Sequence, residues 1–151
     1  VFSKKALRHI TSRPKFYFFD VGVYNSMRPK GPLDNPEAIG GHALETLILQ
    51  HLRAWIDYSK ESGQLFFWQT KSGLEVDFII YGDIGFYAIE VKRSARIRPQ
   101  DLRGLKEFQK DYPQATCILL HQGKETVQIE NILCHSVTHF LKNLFPNQGL
   151  G

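Results

Sequence analysis

Several features that announce a function class are missing from this chain of 151 residues. No apolar run approaches the ~20 residues of a membrane-spanning helix, and no signal-peptide pattern opens the sequence, so no membrane partner is expected and a cytoplasmic setting is. Cysteine is scarce. Cys117 and Cys134 sit in apolar surroundings at no metal-ligand spacing and read as small buried hydrophobes of a reducing compartment. There is no Gly-x-x-x-x-Gly-Lys-Ser/Thr phosphate loop, no Gly-x-Ser-x-Gly nucleophile elbow and no dinucleotide fingerprint opening a helix, and neither repeats nor low-complexity segments occur. Charge of one sign is also modest: Lys and Arg exceed Asp and Glu by four, which is compatible with a polyanionic partner and does not require one. The hydrophobic content of 42% is enough for one compact domain, and the length is too short for two.

What is present centres on Leu74 to Lys92, LEVDFIIYGDIGFYAIEVK. Two alternating runs rich in Val, Ile, Phe and Tyr flank a turn at Asp83-Ile84 bracketed by Gly82 and Gly85, which predicts a β-hairpin. A symmetric turn sets the register, so Tyr81 faces Phe86, Ile79 faces Ala88, Asp77 faces Glu90 and Glu75 faces Lys92. Strand periodicity then puts Glu75, Asp77, Glu90 and Lys92 on one face, and Val76, Phe78, Ile80, Ile89 and Val91 on the other. Opposed side chains have Cβ atoms about 4.5–5.5 Å apart, where like charges repel unless something neutralises them. A hard divalent cation, Mg²⁺ or Mn²⁺, suits oxygen ligands at this spacing and needs only one or two carboxylates from the protein. With an ammonium two residues along the same strand, the hairpin reads as a metal-dependent phosphodiester site.

At these residues the chain resembles the PD-(D/E)XK nuclease superfamily, in which an acid at the end of one strand is followed by Glu-x-Lys on the next; Asp77 and Glu90-Val91-Lys92 match. It resembles more nearly the uncharacterised domain at the C-terminal end of many prokaryotic AAA-type ATPases. The ordered motifs are Phe19-Asp20-Val21-Gly22, Gly41 through Glu45, Glu75 through Phe78, and Glu90 through Lys92. The resemblance implies a restriction-endonuclease-like α/β fold, a central mixed β-sheet flanked by helices. It implies Asp77, Glu90 and the Val91 carbonyl as metal ligands, and Glu45, Asp77, Glu90 and Lys92 as the catalytic set. It also implies an ATPase part of the same full-length chain, outside this sequence, as the place where ATP would bind.

Along the rest of the chain, residues 1–14 read as the remnant of a preceding helical region, 15–145 as the nuclease-like domain and 146–151 as a flexible tail. Lys15 to Phe19 reads as a short aromatic strand, Asp20 as a helix N-cap, and Arg28 to Glu37, with three prolines and a glycine, as a loop. Pro36 to about Tyr58 is the longest helix, with Leu44, Ile48, Leu52, Trp55 and Ile56 on one face. Glu45 falls inside that apolar arc. A carboxylate there needs a partner, which could be Lys92 or an Arg in a salt bridge, or the hairpin metal. Phe66, Phe67 and Trp68 in the strand Leu65 to Thr70 read as core rather than as a base-stacking platform.

Beyond the hairpin come Arg93, Arg96 and Arg98, then Arg103, Lys106 and Lys110 on a helix from Pro99 to before Pro113 whose buried stripe is Leu102, Leu105 and Phe108. Arg93, Arg96, Arg98 and Lys106 suit phosphate contacts with a nucleic-acid backbone, or form an ordinary solvated face. Ala115 to Gln122 is a doubly covered strand expected to lie parallel to the Glu90 strand. Thr126 to Glu130 is a short strand and Val137 to Phe145 a closing helix. His135 and His139 have a spacing that zinc can use, but no nearby acid or cysteine completes a ligand set. Two functions remain open: Mg²⁺-dependent cleavage of nucleic acid, or an inactive module of the same fold that binds DNA or a protein. A third possibility is a structural hairpin whose acids are neutralised by Arg or Lys.

Overall fold

The computed structural model describes residues 36–150 together with Tyr17, Asp20, Gly22, Val23, Ser26 and Gly31. The expected N-terminal helical remnant, most of the Lys15–Phe19 strand and nearly all of the Arg28–Glu37 loop lie outside these residues. At Asp20 the expected cap is present: Val23 N donates to Asp20 Oδ1 at 3.0 Å.

The elements in order are α1 (Pro36–Tyr58), β1 (Gly63–Gln69), β2 (Glu75–Gly82), β3 (Gly85–Lys92), a 3₁₀ turn (Pro99–Leu102), α2 (Arg103–Asp111), β4 (Thr116–His121), β5 (Val127–Ile129), β6 (Ile132–Ser136) and α3 (Val137–Lys142). The strands form one six-stranded mixed sheet in the order β1-β2-β3-β4-β6-β5. Its first half is an antiparallel meander, because β1, β2 and β3 are joined by turns too short for a crossover. Helix α2 carries the chain over the sheet and β4 returns parallel to β3, as the apolar run at 115–122 implied. β6 extends the parallel half beside β4, and β5 pairs antiparallel with β6 at the edge. Strand β6 was not foreseen. Glu130 takes a positive φ of 54° in the tight return from β5, and the five-residue run ILCHS that follows is too short and too mixed to declare itself.

Each face of the sheet is covered. Leu44, Ile48, Leu49, Leu52 and Trp55 of α1 pack with Val137 and Phe140 of α3 on Phe78, Ile80, Ile89, Val91, Ile118 and Leu120. On the opposite face Leu102, Leu105 and Phe108, the stripe expected for α2, pack on Val76, Ile79, Ala88, Cys117 and Leu119. Trp68 belongs to this second layer and meets Phe108 edge to face at 5.4 Å, so the aromatics of β1 serve the core at that position.

The C-terminal segment, expected to fray, docks instead. Trp55 Nε1 donates to Phe145 O at 3.0 Å and Gln148 O at 3.2 Å, Lys60 N donates to Asn147 Oδ1 at 2.8 Å, and Leu150 is buried in the α1-side core. Contacts made across some ninety residues of sequence leave no local signal.

Helix α2 sits unusually close to β2 at Gly104, where an added Cβ would run into the Glu75 carbonyl oxygen. Backbone cannot yield as a flexible side chain can. Gly104→Ala should therefore cost about 1–3 kcal/mol of stability, as overpacking does, measured by urea denaturation of both proteins. An unchanged midpoint would show that the two elements are not pressed together there.

Candidate functional site

The hairpin register holds as expected from Gly82 opposite Gly85 to Phe78 opposite Ile89, and there the paired ladder stops. The next residues are Asp77 and Glu90. On the other side of β2, the pairing with β1 passes from Phe66–Ile79 to Trp68–Val76, two steps on β1 against three on β2. That extra residue is a β-bulge at Asp77-Phe78, a device that re-aims side chains and interrupts alternation.

The bulge corrects one expectation. Val76 packs with Ile79 and Ala88 under α2, while Phe78, Ile80, Ile89 and Val91 face α1, so the four charged side chains do not share one face. Alternation along β3 places Glu90 and Lys92 on the Ala88 side. Asp77 stands between the layers, where its Oδ2 accepts a 2.9 Å hydrogen bond from Val91 N. A carboxylate thus occupies the position of a strand carbonyl, and the gap between β2 and β3 is opened at this point.

Asp77 and Glu90 are each only 4% exposed. Lys92 Nζ lies 2.6 Å from Glu90 Oε1, so its ion-pair partner is the acid two residues back rather than Glu75 across the hairpin. The other oxygen, Glu90 Oε2, is buried and has no hydrogen-bond partner among the described residues. Burial, and next the Asp77 carboxylate, push the Glu90 carboxyl up to about 8 against the pull of the Lys92 ammonium. For Lys92, burial works against the charge but the neighbouring Glu90 outweighs it, with Asp77 and Asp101 adding to the effect, and the ammonium titrates above its ordinary value.

Glu45, half-buried on α1, is reached by Tyr17, whose hydroxyl donates to Glu45 Oε2 at 3.5 Å and whose ring lies 6.1 Å from that of Phe78. Burial, followed by the charges of Glu45, Asp77 and Glu75, holds the Tyr17 phenol above its ordinary range, so it stays protonated and able to donate to Glu45. The same phenol therefore feels three of the expected acids, and Glu90 feels Asp77 and Glu75. Tyr17 is the member of this cluster that pattern reasoning missed; its place in a run of aromatics made it read simply as part of a short strand.

Glu45 is positioned by close approach. A Cβ on Gly40, in the first turns of α1, would fall on the Arg93 guanidinium, so the residue after Lys92 lies across α1 before Glu45. Arg93, Arg96 and Arg98 are exposed on the loop leaving β3, and Lys106 is held by Glu130 at 2.6 Å on the surface. The Ser94 hydroxyl donates to Arg96 O, and Gln122 N donates to Ser94 O, fastening this basic loop beyond the C-terminal ends of β3 and β4.

Among the described residues no group of three or more His, Cys, Asp or Glu stands close enough to hold a metal ion. A two-carboxylate site falls below that threshold. Strand geometry adds a third donor, because the N–H and C=O of one strand residue point to the same edge: Val91, whose N–H meets Asp77, turns its carbonyl toward the same gap. With two buried acids and an orphaned oxygen at this gap, the donor set fits Mg²⁺ or Mn²⁺.

A family profile described as Domain of unknown function (DUF4143) matches residues 40–140, more than half of the chain, and the chain belongs to that family. The match spans α1 to the start of α3 and contains Glu45, Glu75, Asp77, Glu90 and Lys92. No curated protein and no solved structure matches.

The raised Glu90 carboxyl fixes a pH dependence. Between the ordinary value of 4.5 and about 8 the folded state keeps a proton that the unfolded chain releases, so stability falls as pH rises through this window. Thermal unfolding in metal-free buffer from about pH 5 to about pH 9 should show this fall, and Glu90→Gln should flatten it. Parallel curves for the two proteins would remove the carboxyl from this role.

Proposed function

For a chain that belongs to a family with no assigned activity, we propose Mg²⁺-dependent hydrolysis of nucleic-acid phosphodiesters at the Asp77–Glu90 gap. The observation that carries it is the buried acid pair with Glu90 Oε2 unpartnered beside the Lys92 ammonium. A structural hairpin would have no use for such a group, since a buried carboxylate without compensation costs several kcal/mol.

In this reading Asp77, Glu90 and the Val91 carbonyl hold the cation. Bound there, the ion would act as a Lewis acid and lower the pKa of a coordinated water. Lys92 offsets the charge that develops on the phosphate and orients the attacking water. Glu45 completes the acidic cluster from α1, oriented by the Tyr17 hydroxyl, and Glu75 supports it from the end of β2. Arg93, Arg96 and Arg98 would hold the backbone of the nucleic acid, with Lys106 at the margin. The reading includes a restriction-endonuclease-like fold, a cytoplasmic setting and a place as the C-terminal module of an AAA-type ATPase. The order of the four sequence motifs supports these parts.

One observation favours a second reading, an inactive module that binds DNA or a protein. Lys92 is closed onto Glu90 at 2.6 Å, and no third acid joins the pair at metal-binding distance among the described residues.

Incubation with single- and double-stranded DNA and RNA in Mg²⁺ or Mn²⁺ separates the two. Asp77→Asn, which keeps an acceptor for Val91 N, and Lys92→Ala should each lower cleavage about 100-fold or more with folding intact. Equal residual activity in parent and variants would assign any cleavage to a contaminant. Calorimetry gives an independent check, since the cation must displace the Glu90 proton. Mn²⁺ affinity should rise about tenfold per pH unit and level off near pH 8. Absence of both cleavage and Mn²⁺ binding would favour the inactive module.

A further inference from the structure

Among the described residues only two side chains carry buried nitrogen or oxygen atoms without a hydrogen-bond partner: Glu90, in the site above, and His135. In His135 both ring nitrogens are affected. It lies on β6, on the far side of β4 from the hairpin, and belongs to nothing in the proposed chemistry. Its ring lies parallel to that of His139, the third residue of α3, with centroids 5.8 Å apart and planes 9° from one another. The two rings border a cavity of about 270 Å³ whose other walls include Phe140, Asn143, Gln148 and Leu150. The docked C-terminal segment thus forms one wall of the cavity, held in place by Trp55 through the Gln148 carbonyl.

We propose that His135 and His139 form a second, nitrogen-donor metal site in this cavity, which takes a borderline transition-metal ion such as Zn²⁺ or Ni²⁺ and completes its coordination with water or an external ligand. The chemistry of the walls selects the class. Among the described residues no carboxylate lines the cavity, so Mg²⁺ and Ca²⁺ find none of the hard anionic oxygens they require there. Imidazole suits Zn²⁺, Ni²⁺ and Cu²⁺.

An anion is the less suitable occupant. Burial, with His139 and His121 adding to it, lowers the His135 pKa, so the ring is neutral near pH 7 and offers a lone pair rather than a charge. His121 cannot join as a ligand without losing its own bonds: its Nε2 is 3.1 Å from Glu125 O, and its Nδ1 accepts from Gly123 N at 3.0 Å. Two imidazole nitrogens about 2.0–2.1 Å from one ion lie within reach of rings at this separation. The lone pairs of parallel rings do not converge, but His139 is exposed, and a turn about its side-chain bonds, at the cost of the 3.4 Å contact between its Nε2 and Asn143 Nδ2, brings one toward His135. A cavity of this size is at the bottom of the range for organic ligands and ample for an ion with its waters.

Calorimetric titration of the 151-residue chain with ZnCl₂ and NiCl₂ tests this, with histidine-ring NMR as a second readout. With the hairpin site disabled by Glu90→Gln, one ion per chain should bind, and the ring signals of His135 and His139 should move together. His139→Ala, at an exposed position that leaves the core intact, should weaken binding about tenfold or more. Glu90→Gln, which disables the site on the hairpin, should leave it unchanged, so failure here and failure of the nuclease reading are separable. In the Glu90→Gln background, Zn²⁺ binding that survives His139→Ala, or no saturable binding before that change, would overturn the proposal and leave water as the partner of His135.

Discussion

Two carboxylates buried side by side where β2 and β3 part company set the terms for the rest of this structure. Each is almost wholly removed from water, and charge buried without compensation costs far more than any surface ion pair returns. The protein compensates them unequally. Asp77 accepts from a backbone N–H, whereas Glu90 has the Lys92 ammonium on one oxygen and, among the described residues, no partner on the other. The result is a pair in which Glu90 holds a proton up to about pH 8.

The packing around the pair explains how so costly an arrangement stays in place. The two apolar layers meet the sheet from opposite faces, and the acids are buried at the point where the β2–β3 ladder ends. The β-bulge at Asp77-Phe78 is what makes room, since a regular strand would have carried Asp77 onto a face and continued the ladder to Glu90. Gly104 lets α2 press against the backbone of Glu75, just before the bulge, and Gly40 lets Arg93 lie across α1. The first of these is a contact with the backbone of the strand that carries Glu75 and Asp77. Functional groups borne on clamped strands and helices hold their geometry better than groups on loops.

Much of this could be read in the amino-acid order, and the limits were physical. A short turn between two alternating strands leaves one plausible register, so the pairing from Gly82–Gly85 to Phe78–Ile89 followed from counting. The parallel return of β4 followed from a doubly apolar run after a helix. The bulge did not follow. It is a relation between β2 and the partner strand β1, and nothing in EVDF marks the point where two residues must answer three. The same holds for the docked C-terminus, anchored by an indole on α1, and for Tyr17, whose role depends on a glutamate in a distant helix. Asp20 shows the opposite case: its cap bond is local and was visible as such.

The ion pair between Lys92 and Glu90 links the two readings of the hairpin. While Glu90 holds it, the ammonium is committed to a protein carboxylate and has little to offer a phosphate. Asp77 and an ionised Glu90 would hold a cation at the gap, and the charge of Glu90 would then no longer rest on Lys92 alone, leaving the ammonium able to turn to a phosphate. The acid and the base would then become competent in one step. Without a cation the same residues form a closed, self-satisfied pair with one unsatisfied oxygen, which is the state the inactive reading would make permanent. Whether Glu90 exchanges its proton for a metal ion is therefore the single physical event on which catalysis at this hairpin depends.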